Sequence, residues 1–300
     1  MSIRGVGINA HSPRINGDLE LLKRDLAYFE KIGFDYVEIP VHGVDGIING
    51  ELNPKNVEKV KEALKKYNLK VTVHSPDPLN LRKDNFDLQK KVFQSSIEFA
   101  SRLGAGVLVY HGGDFDGGEQ EDEFQDLASE REIEILKVLS EFADKRGVQI
   151  CIENCASSIE KLVMTVRKVN RKNVGITYDF GHAFLYYSCH GGEEEFLTSI
   201  KEALPYLKHV HMHDNFGRAN VTSHNNSYID QLPFGDGDLH MPPGMGGIPY
   251  EKIFPLIREY KGIAMMEIEP RYRHLYGKAL ERFQELLLEA GILKYDFPKI

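Results

Sequence analysis

Residues 144–156 read DKRGVQICIENCA, and two other stretches repeat their plan: KKYNLKVTVHSP at 65–76 and SRLGAGVLVYHGG at 101–113. In each, a polar segment of helical spacing stops at Asn or Gly, where a helix is expected to end. A short β-rich run follows, and it closes on a side chain able to bind a metal: Glu153, His74 or His111. Runs that are apolar on both faces suit strands buried from two sides, as in a parallel sheet covered by helices. Working outward, the same alternation predicts strands at Gly5–Asn9, Tyr36–Pro40, Lys70–His74, Gly106–His111, Gln149–Asn154, Val174–Asp179, His209–Asp214 and Ile263–Ile268. Helical segments are expected near 18–32, 54–67, 87–103, 123–146, 158–170, 193–203, 250–260 and 275–290. Leu19, Leu22, Leu26 and Phe29 show the stripe that would face the sheet. Strands and helices alternating without a break, and no Gly-rich dinucleotide loop after the first strand, predict a single-domain α/β chain over residues 1–300. The expected fold is a closed (β/α)8 TIM barrel. A long connection, about 215–249, is rich in Gly, Pro, Asn and His and is expected to lie over the active face.

Composition is that of a soluble globular protein: 42% hydrophobic and 27% charged residues, with a net charge of −8 that disfavours nucleic acid as a partner. No stretch is apolar enough to suggest a membrane span, and the opening MSIRGVGINAHSP has no secretory pattern, so the expected location is cytoplasmic. Cys151, Cys155 and Cys189 form no CxxC pair and are expected to be reduced, with Cys151 in a buried strand.

In a barrel of this kind the carboxyl ends of the strands form the catalytic face. Six consecutive predicted strands end in His, Asp or Glu: His74, His111, Glu153, Asp179 with His182, His211 and His213, then Glu267 and Glu269. The long seventh loop adds Asp238 and His240. A lone histidine at a strand end is more often a hydrogen-bonded structural residue. So many ionisable groups converging on one axis would be costly without a compensating cation. The expectation is divalent metal binding, since imidazole with carboxylate suits zinc, manganese or cobalt. His209, His211 and His213 share one face by period two, as do Glu267 and Glu269, so His213 or Glu269 are alternatives to His211 and Glu267. His11, His42 and His213, with Arg218, Arg271 and Arg273, are candidate substrate contacts. His190, His224 and His274 read as ordinary surface or loop residues.

At these residues the chain resembles the xylose-isomerase-like barrel superfamily, which includes endonuclease IV and sugar isomerases and epimerases. The resemblance covers nearly the whole chain. It implies a core of four ligands: Glu153, Asp179, His211 and Glu267. DFGHAF at 179–184 resembles the strand-six signature of endonuclease IV, and DLHMPPGMGGI at 238–248 resembles its D-x-H segment. That closer likeness implies His74, His111, His182, Asp238 and His240 as further ligands and up to three zinc ions. His211 is preferred because it stands three residues before Asp214, as in the family's H-x-N-D motif, with His213 in place of the Asn.

Two chemistries fit. Ligand count favours phosphoester hydrolysis by a multinuclear centre, with Glu153 positioning a water and accepting its proton. The alternative is isomerisation or epimerisation of a sugar or sugar phosphate through an enediolate, with Glu153 and Glu267 exchanging a carbon-bound proton around one Mn, Co or Mg ion. A DNA substrate is disfavoured on either account: where endonuclease IV carries a wedge, HSPDPLNL offers Asp77 and Pro78, and Asp77 would repel phosphates. The expected substrate is a small sugar or phosphorylated compound.

Overall fold

The computed structural model describes residues 3–83, 85–112, 123–155, 157–219 and 228–292. Eight parallel strands close on themselves: β1 (Gly5–Asn9), β2 (Tyr36–Pro40), β3 (Lys70–His74), β4 (Val107–His111), β5 (Gln149–Glu153), β6 (Val174–Asp179), β7 (Leu207–Met212) and β8 (Ile263–Met266). Each pairs with its sequence neighbours and β8 pairs with β1, so no strand edge is left open. Helices including Leu19–Ile32, Pro54–Leu64, Phe86–Leu103, Ile159–Val169 and Tyr276–Glu289 pack outside, close to the predicted ranges. The first of them is capped by the Asp18 carboxylate, which accepts from the amides of Glu20 and Leu21.

Strand alternation separates two apolar layers. Outward residues such as Val37, Ile39, Leu108, Tyr110 and Ile152 pack against the helices. Inward residues Tyr36, Val107, Val109, Cys151, Ile263 and Met265 form a plug inside the barrel. Gly7 makes room for it, because a Cβ there would lie 2.7 Å from the Met265 sulfur and 2.8 Å from Tyr36 Cβ. The next inward positions toward the carboxyl ends are ionisable: Glu38, His111, Glu153, His209, His211 and Glu267. The same period that builds the plug therefore lifts these groups onto one rim.

Register sets which of them are neighbours. His111 lies level with Glu153, and Asp179 with His211. The latter match follows a register shift between Ile176 and Thr177, where β7 carries one extra residue. Two features were not expected. A short hairpin, Ile47–Ile48 with Glu51–Leu52, follows β2. A helix, Phe180–His190, starts directly at the end of β6, ahead of the expected one at Glu193–Ala203. Asp179 is its N-cap, its carboxylate accepting from the His182 amide at 2.7 Å, so the D-x-x-H spacing is a capping turn as well as a pair of site residues.

The connection after β7 is held down by a single carboxylate. Asp214 is buried and accepts from the backbone amides of Asn215, Gly244 and Ile248 at 3.0, 2.8 and 3.2 Å, and its backbone bridges Met241. His224 lies outside the described residues, as does the stretch 220–227 of this connection. All three cysteines are free, with Cys151 buried in β5. No helix among the described residues is long and apolar enough to cross a membrane.

Candidate metal centre

Glu153, Asp179, His211 and Glu267, from the ends of β5, β6, β7 and β8, offer donor atoms that all lie within 4.8 Å of one another. His211 Nδ1 is 2.9 Å from Glu153 Oε1, 3.4 Å from Glu267 Oε1 and 4.0 Å from Asp179 Oδ2. Two further groups adjoin this one. His74, Asp77 and His111 form the first, and both His74 Nε2 and His111 Nε2 approach Glu153 Oε2, at 3.3 and 3.4 Å. His182, His213, Asp238 and His240 form the second. There His182 Nε2 and His240 Nε2 each lie 3.0 Å from Asp238 Oδ2.

The alternatives left open by period two separate cleanly. Of the three histidines on β7 and its end, His211 faces the four-residue group, His209 sits deeper against Glu38 (3.2 Å), and His213 turns toward Asp238. Glu267 joins the group, whereas Glu269 pairs with His11 at 3.0 Å. His240 has a left-handed backbone (φ 42°), a strained conformation that tends to persist where a side chain must be presented in one direction.

A cavity of about 500 Å3 opens above these groups. Its wall includes His11, His42, His74, Asp77, His111, His182, Asp238, His240 and Glu267, while Glu153, Asp179 and His211 lie beneath it. Several expected substrate contacts stand elsewhere. Arg273 is committed to the buried Asp25, 2.8 Å away, and stacks over Tyr28. Arg218 and Arg271 are exposed and are not among the residues that line the cavity, and His213 is fully buried. His190 and His274 are exposed, as expected.

Residues that the sequence reading named neither as ligands nor as substrate contacts also belong to the site. Glu38 is buried at its floor, where Oε2 accepts from Thr72 Oγ1 at 2.8 Å and Oε1 lies 3.0 Å from His211 Nε2. A charged residue between apolar neighbours in YVEIP was the available signal. Asn154 donates to the Asp179 carbonyl and accepts from its amide, tying β5 to β6 (2.9 Å each). Cys155 stands close enough to His111 and His182 to help raise the pKa of both. Asp77 lies 3.4 Å from His42 and 3.5 Å from His74.

Electrostatically the rim is a lattice of opposed charges. Burial favours neutral imidazole at His74, but the hydrogen bond to Glu153 and the charge of Asp77 prevail and raise its pKa to about 9. His240 is likewise raised to about 9, where the Asp238 charge outweighs burial. Burial alone would raise Asp179, yet His182 and His213 hold it at about 2. Glu153 and Asp238 are held well below the carboxylate range against burial, first by the charges of His211 and His240 respectively. His209, with burial dominant, is lowered.

The donor set fits a divalent cation. Two carboxylate oxygens at the rim, Asp179 Oδ2 and Asp238 Oδ1, are buried without a hydrogen bond. Orphaned polar atoms concentrated in one place point to an unseen partner. His74, His182 and His240 direct Nδ1 to the backbone carbonyls of Ser75, Asn154 and Glu267 (2.7, 2.9 and 3.0 Å), leaving Nε2 toward the carboxylates. Such an arrangement fixes the tautomer of a metal-binding imidazole.

Residues 26–287 match the family described as xylose isomerase-like TIM barrel. The chain belongs to that family. An uncharacterized protein of Methanocaldococcus jannaschii is 25% identical over 83% of this chain and 79% of its own length. An inosose dehydratase of Yersinia enterocolitica is 29% identical over 58% of this chain and 59% of its own. Among solved structures, a D-tagatose 3-epimerase-like protein superposes with a TM-score of 0.71 at 23% identity, covering 96% of this chain and 98% of that one. The IolI protein, solved with a bound zinc atom, gives 0.68 at 18%, covering 97% and 99%.

Proposed function

We propose that this chain is a divalent-metal-dependent isomerase or epimerase of a sugar or related polyol, moving a proton at a carbon beside a carbonyl. One observation carries the reading: Glu153 and Glu267 flank the same imidazole nitrogen of His211, at 2.9 and 3.4 Å, beneath a polar cavity of about 500 Å3. The inosose dehydratase and the epimerase-like structure among its relatives support it.

Glu153, Asp179, His211 and Glu267 would hold the ion (zinc, manganese, cobalt or magnesium), which when bound supplies a Lewis acid for a carbonyl and its neighbouring hydroxyl. Glu267 lines the cavity and takes or returns a carbon-bound proton at its carboxylate. Glu153 is enclosed, but His74 and His111 reach from its Oε2 to the cavity and can carry a proton between it and the other face of the substrate. His11, His42 and Asp77 present hydrogen-bonding groups suited to hydroxyls. Asp77 opposes an anionic substrate, which favours a neutral sugar over a phosphorylated one.

A second reading, multinuclear phosphoester hydrolysis, rests on the two donor groups beside the main one, His74 with His111 and His182 with Asp238 and His240. It keeps Glu153 as the acceptor of a water proton.

The test is incubation of metal-loaded protein with ketoses and inososes in heavy water. Deuterium should enter at carbon, and Glu267→Gln and Glu153→Gln should abolish it. Absence of exchange with every divalent ion, together with cleavage of a phosphodiester reporter, would replace the first reading by the second.

A further inference from the structure

The four-residue metal group is drawn from the ends of β5, β6, β7 and β8. The rest of the cavity rim carries two carboxylates, each set against an imidazole. We propose that Glu269, backed by His11, accepts one substrate hydroxyl, that Asp77, backed by His42, accepts another, and that the substrate is an unphosphorylated polyhydroxy ketone. The inference rests on the isomerase or epimerase reading and names what that site selects.

The two pairs share one plan. Glu269 follows β8 and His11 follows β1, with His11 Nε2 3.0 Å from Glu269 Oε1. Asp77 follows β3 and His42 follows β2, with His42 Nε2 3.4 Å from Asp77 Oδ2. All four residues line the cavity. His11 Nδ1 accepts from the Arg14 amide at 3.3 Å, which puts the ring proton on Nε2, where it is donated to Glu269. Only one oxygen of that carboxylate is used in this way. Glu269 Oε2 makes no hydrogen bond to any described residue and remains an acceptor for a ligand.

A staple between strands explains Glu269 and His11 less well. β1 and β8 are already joined by their hydrogen-bond ladder, and the loops after them by Asp25, buried in the helix Leu19–Ile32. The Asp25 carboxylate accepts from Arg14 of the first loop at 3.0 and 3.2 Å, and from Arg273 of the second at 2.8 Å. That clamp fixes the spacing of the two loops without help from the pair. Metal binding explains Glu269 no better. Unlike Glu267, it belongs to none of the groups whose donor atoms converge among the described residues.

The chemistry of this wall selects the substrate. A carboxylate accepts from a hydroxyl through a charge-assisted hydrogen bond and repels a phosphate. No lysine or arginine is among the described residues lining the cavity, so the side chains that best grip a phosphate are missing from that wall. Hydroxyls held at Glu269 and Asp77 leave the carbonyl end of the substrate for the four-residue group.

The test uses the full chain loaded in turn with zinc, manganese, cobalt and magnesium. Hydrogen exchange is followed with D-tagatose, D-fructose and an inosose, and with the phosphate esters of the two ketoses. A free sugar should be preferred over the esters. Glu269→Ala and Asp77→Ala should each raise its KM about tenfold or more, the scale of one hydrogen bond to a charged group, with a smaller change in kcat and the same metal content. Glu269→Gln, which keeps an acceptor oxygen, should recover part of the loss. A pair serving structure alone would lower stability and leave KM in place. If an alanine variant misfolds, Glu269→Gln and Asp77→Asn serve for the same measurement, each with a smaller rise. Unchanged KM in a folded variant, a loss confined to kcat, or preference for an ester would overturn the proposal and leave the isomerase reading intact. Should the unaltered chain exchange nothing, calorimetric binding of the same sugars decides. Weaker binding by Glu269→Ala would keep the subsite without the reaction, whereas equal binding, or none by the unaltered chain, would overturn it.

Discussion

Oε1 of Glu38 lies 3.0 Å from Nε2 of His211, while the opposite ring nitrogen of that histidine faces Glu153 and Glu267. The carboxylate is itself fixed, since Oε2 accepts from Thr72 Oγ1 and faces His209 Nε2. Three strands thus hold one imidazole so that Nδ1 is the nitrogen turned to the four-residue centre.

Glu38 therefore acts as a positioning residue, and its removal should be felt first as lost metal affinity. Glu38→Gln is expected to weaken binding at the four-residue centre by about 10–100-fold, the usual cost of losing the partner of a metal-binding histidine. Glu38→Ala should also cost on the order of 1–3 kcal/mol of stability, because Thr72 and two histidines lose a buried partner. Metal titration and chemical denaturation of the same samples separate the two effects. Unchanged affinity in Glu38→Gln would remove it from this role.

Why Glu38 escaped the sequence reading is instructive beside what did not. The barrel was legible because its signal repeats: each helix stop, β-rich run and terminal polar residue restates the same plan, and the strands fall within a few residues of expectation. The rim histidines and carboxylates were legible for the same reason, since strand ends converge wherever a barrel closes. Glu38 lies mid-strand, at a depth set by register and not by strand end, and one acidic letter among apolar ones does not tell whether it points inward. The surroundings of Arg273 were hidden for a related reason. Arg273 follows β8 at the catalytic face, but Asp25, from a helix far away in sequence, claims its guanidinium. The β7 histidines show the remaining gap: period two puts three on one face, and only the three-dimensional neighbours assign each its partner.

Gly181→Ala sets two known effects against each other. In an ordinary helix the change would gain up to about 1 kcal/mol from propensity. Here the added carbon would meet the His213 ring at 2.0 Å, and overpacking a rigid core costs about 1–3 kcal/mol. The clash should win, lowering the thermal midpoint of the metal-free protein. A rise in that midpoint would mean that His213 moves aside easily.

Asp214 anchors the long connection, so its substitutions should grade by how many acceptors survive. Asp214→Asn keeps one carbonyl oxygen for the amides of Asn215, Gly244 and Ile248, whereas Asp214→Ala keeps none. With unsatisfied buried donors costing about 1–3 kcal/mol each, the alanine variant should be the less stable by at least about 1 kcal/mol in urea. Because Met241 bridges Asp214 beside His240, both variants should also bind metal less tightly. Equal stability of the two would show that water replaces the carboxylate.

The metal-free and metal-loaded proteins should respond to pH in opposite ways. A histidine whose folded pKa exceeds its unfolded value stabilises the fold while protonated. His74 and His240, raised from 6.5 to about 9, therefore contribute fully below about pH 6.5 and lose that contribution as pH climbs through about 9. Asp179, lowered from 3.8 to about 2, works in the other sense: its contribution is present above pH 3.8 and is lost as pH falls through about 2. The stripped protein should accordingly be most stable between about pH 4 and 6.5 and weaken toward pH 9. Cations bind neutral imidazole, so binding must displace those protons, and affinity should rise across the window from pH 6.5 to 9 with measurable proton release. Denaturation midpoints with and without zinc, taken every half unit of pH, should diverge steadily over that range. Parallel curves would show that the rim histidines are already neutral in the stripped protein, and that the carboxylates around them do not hold their protons.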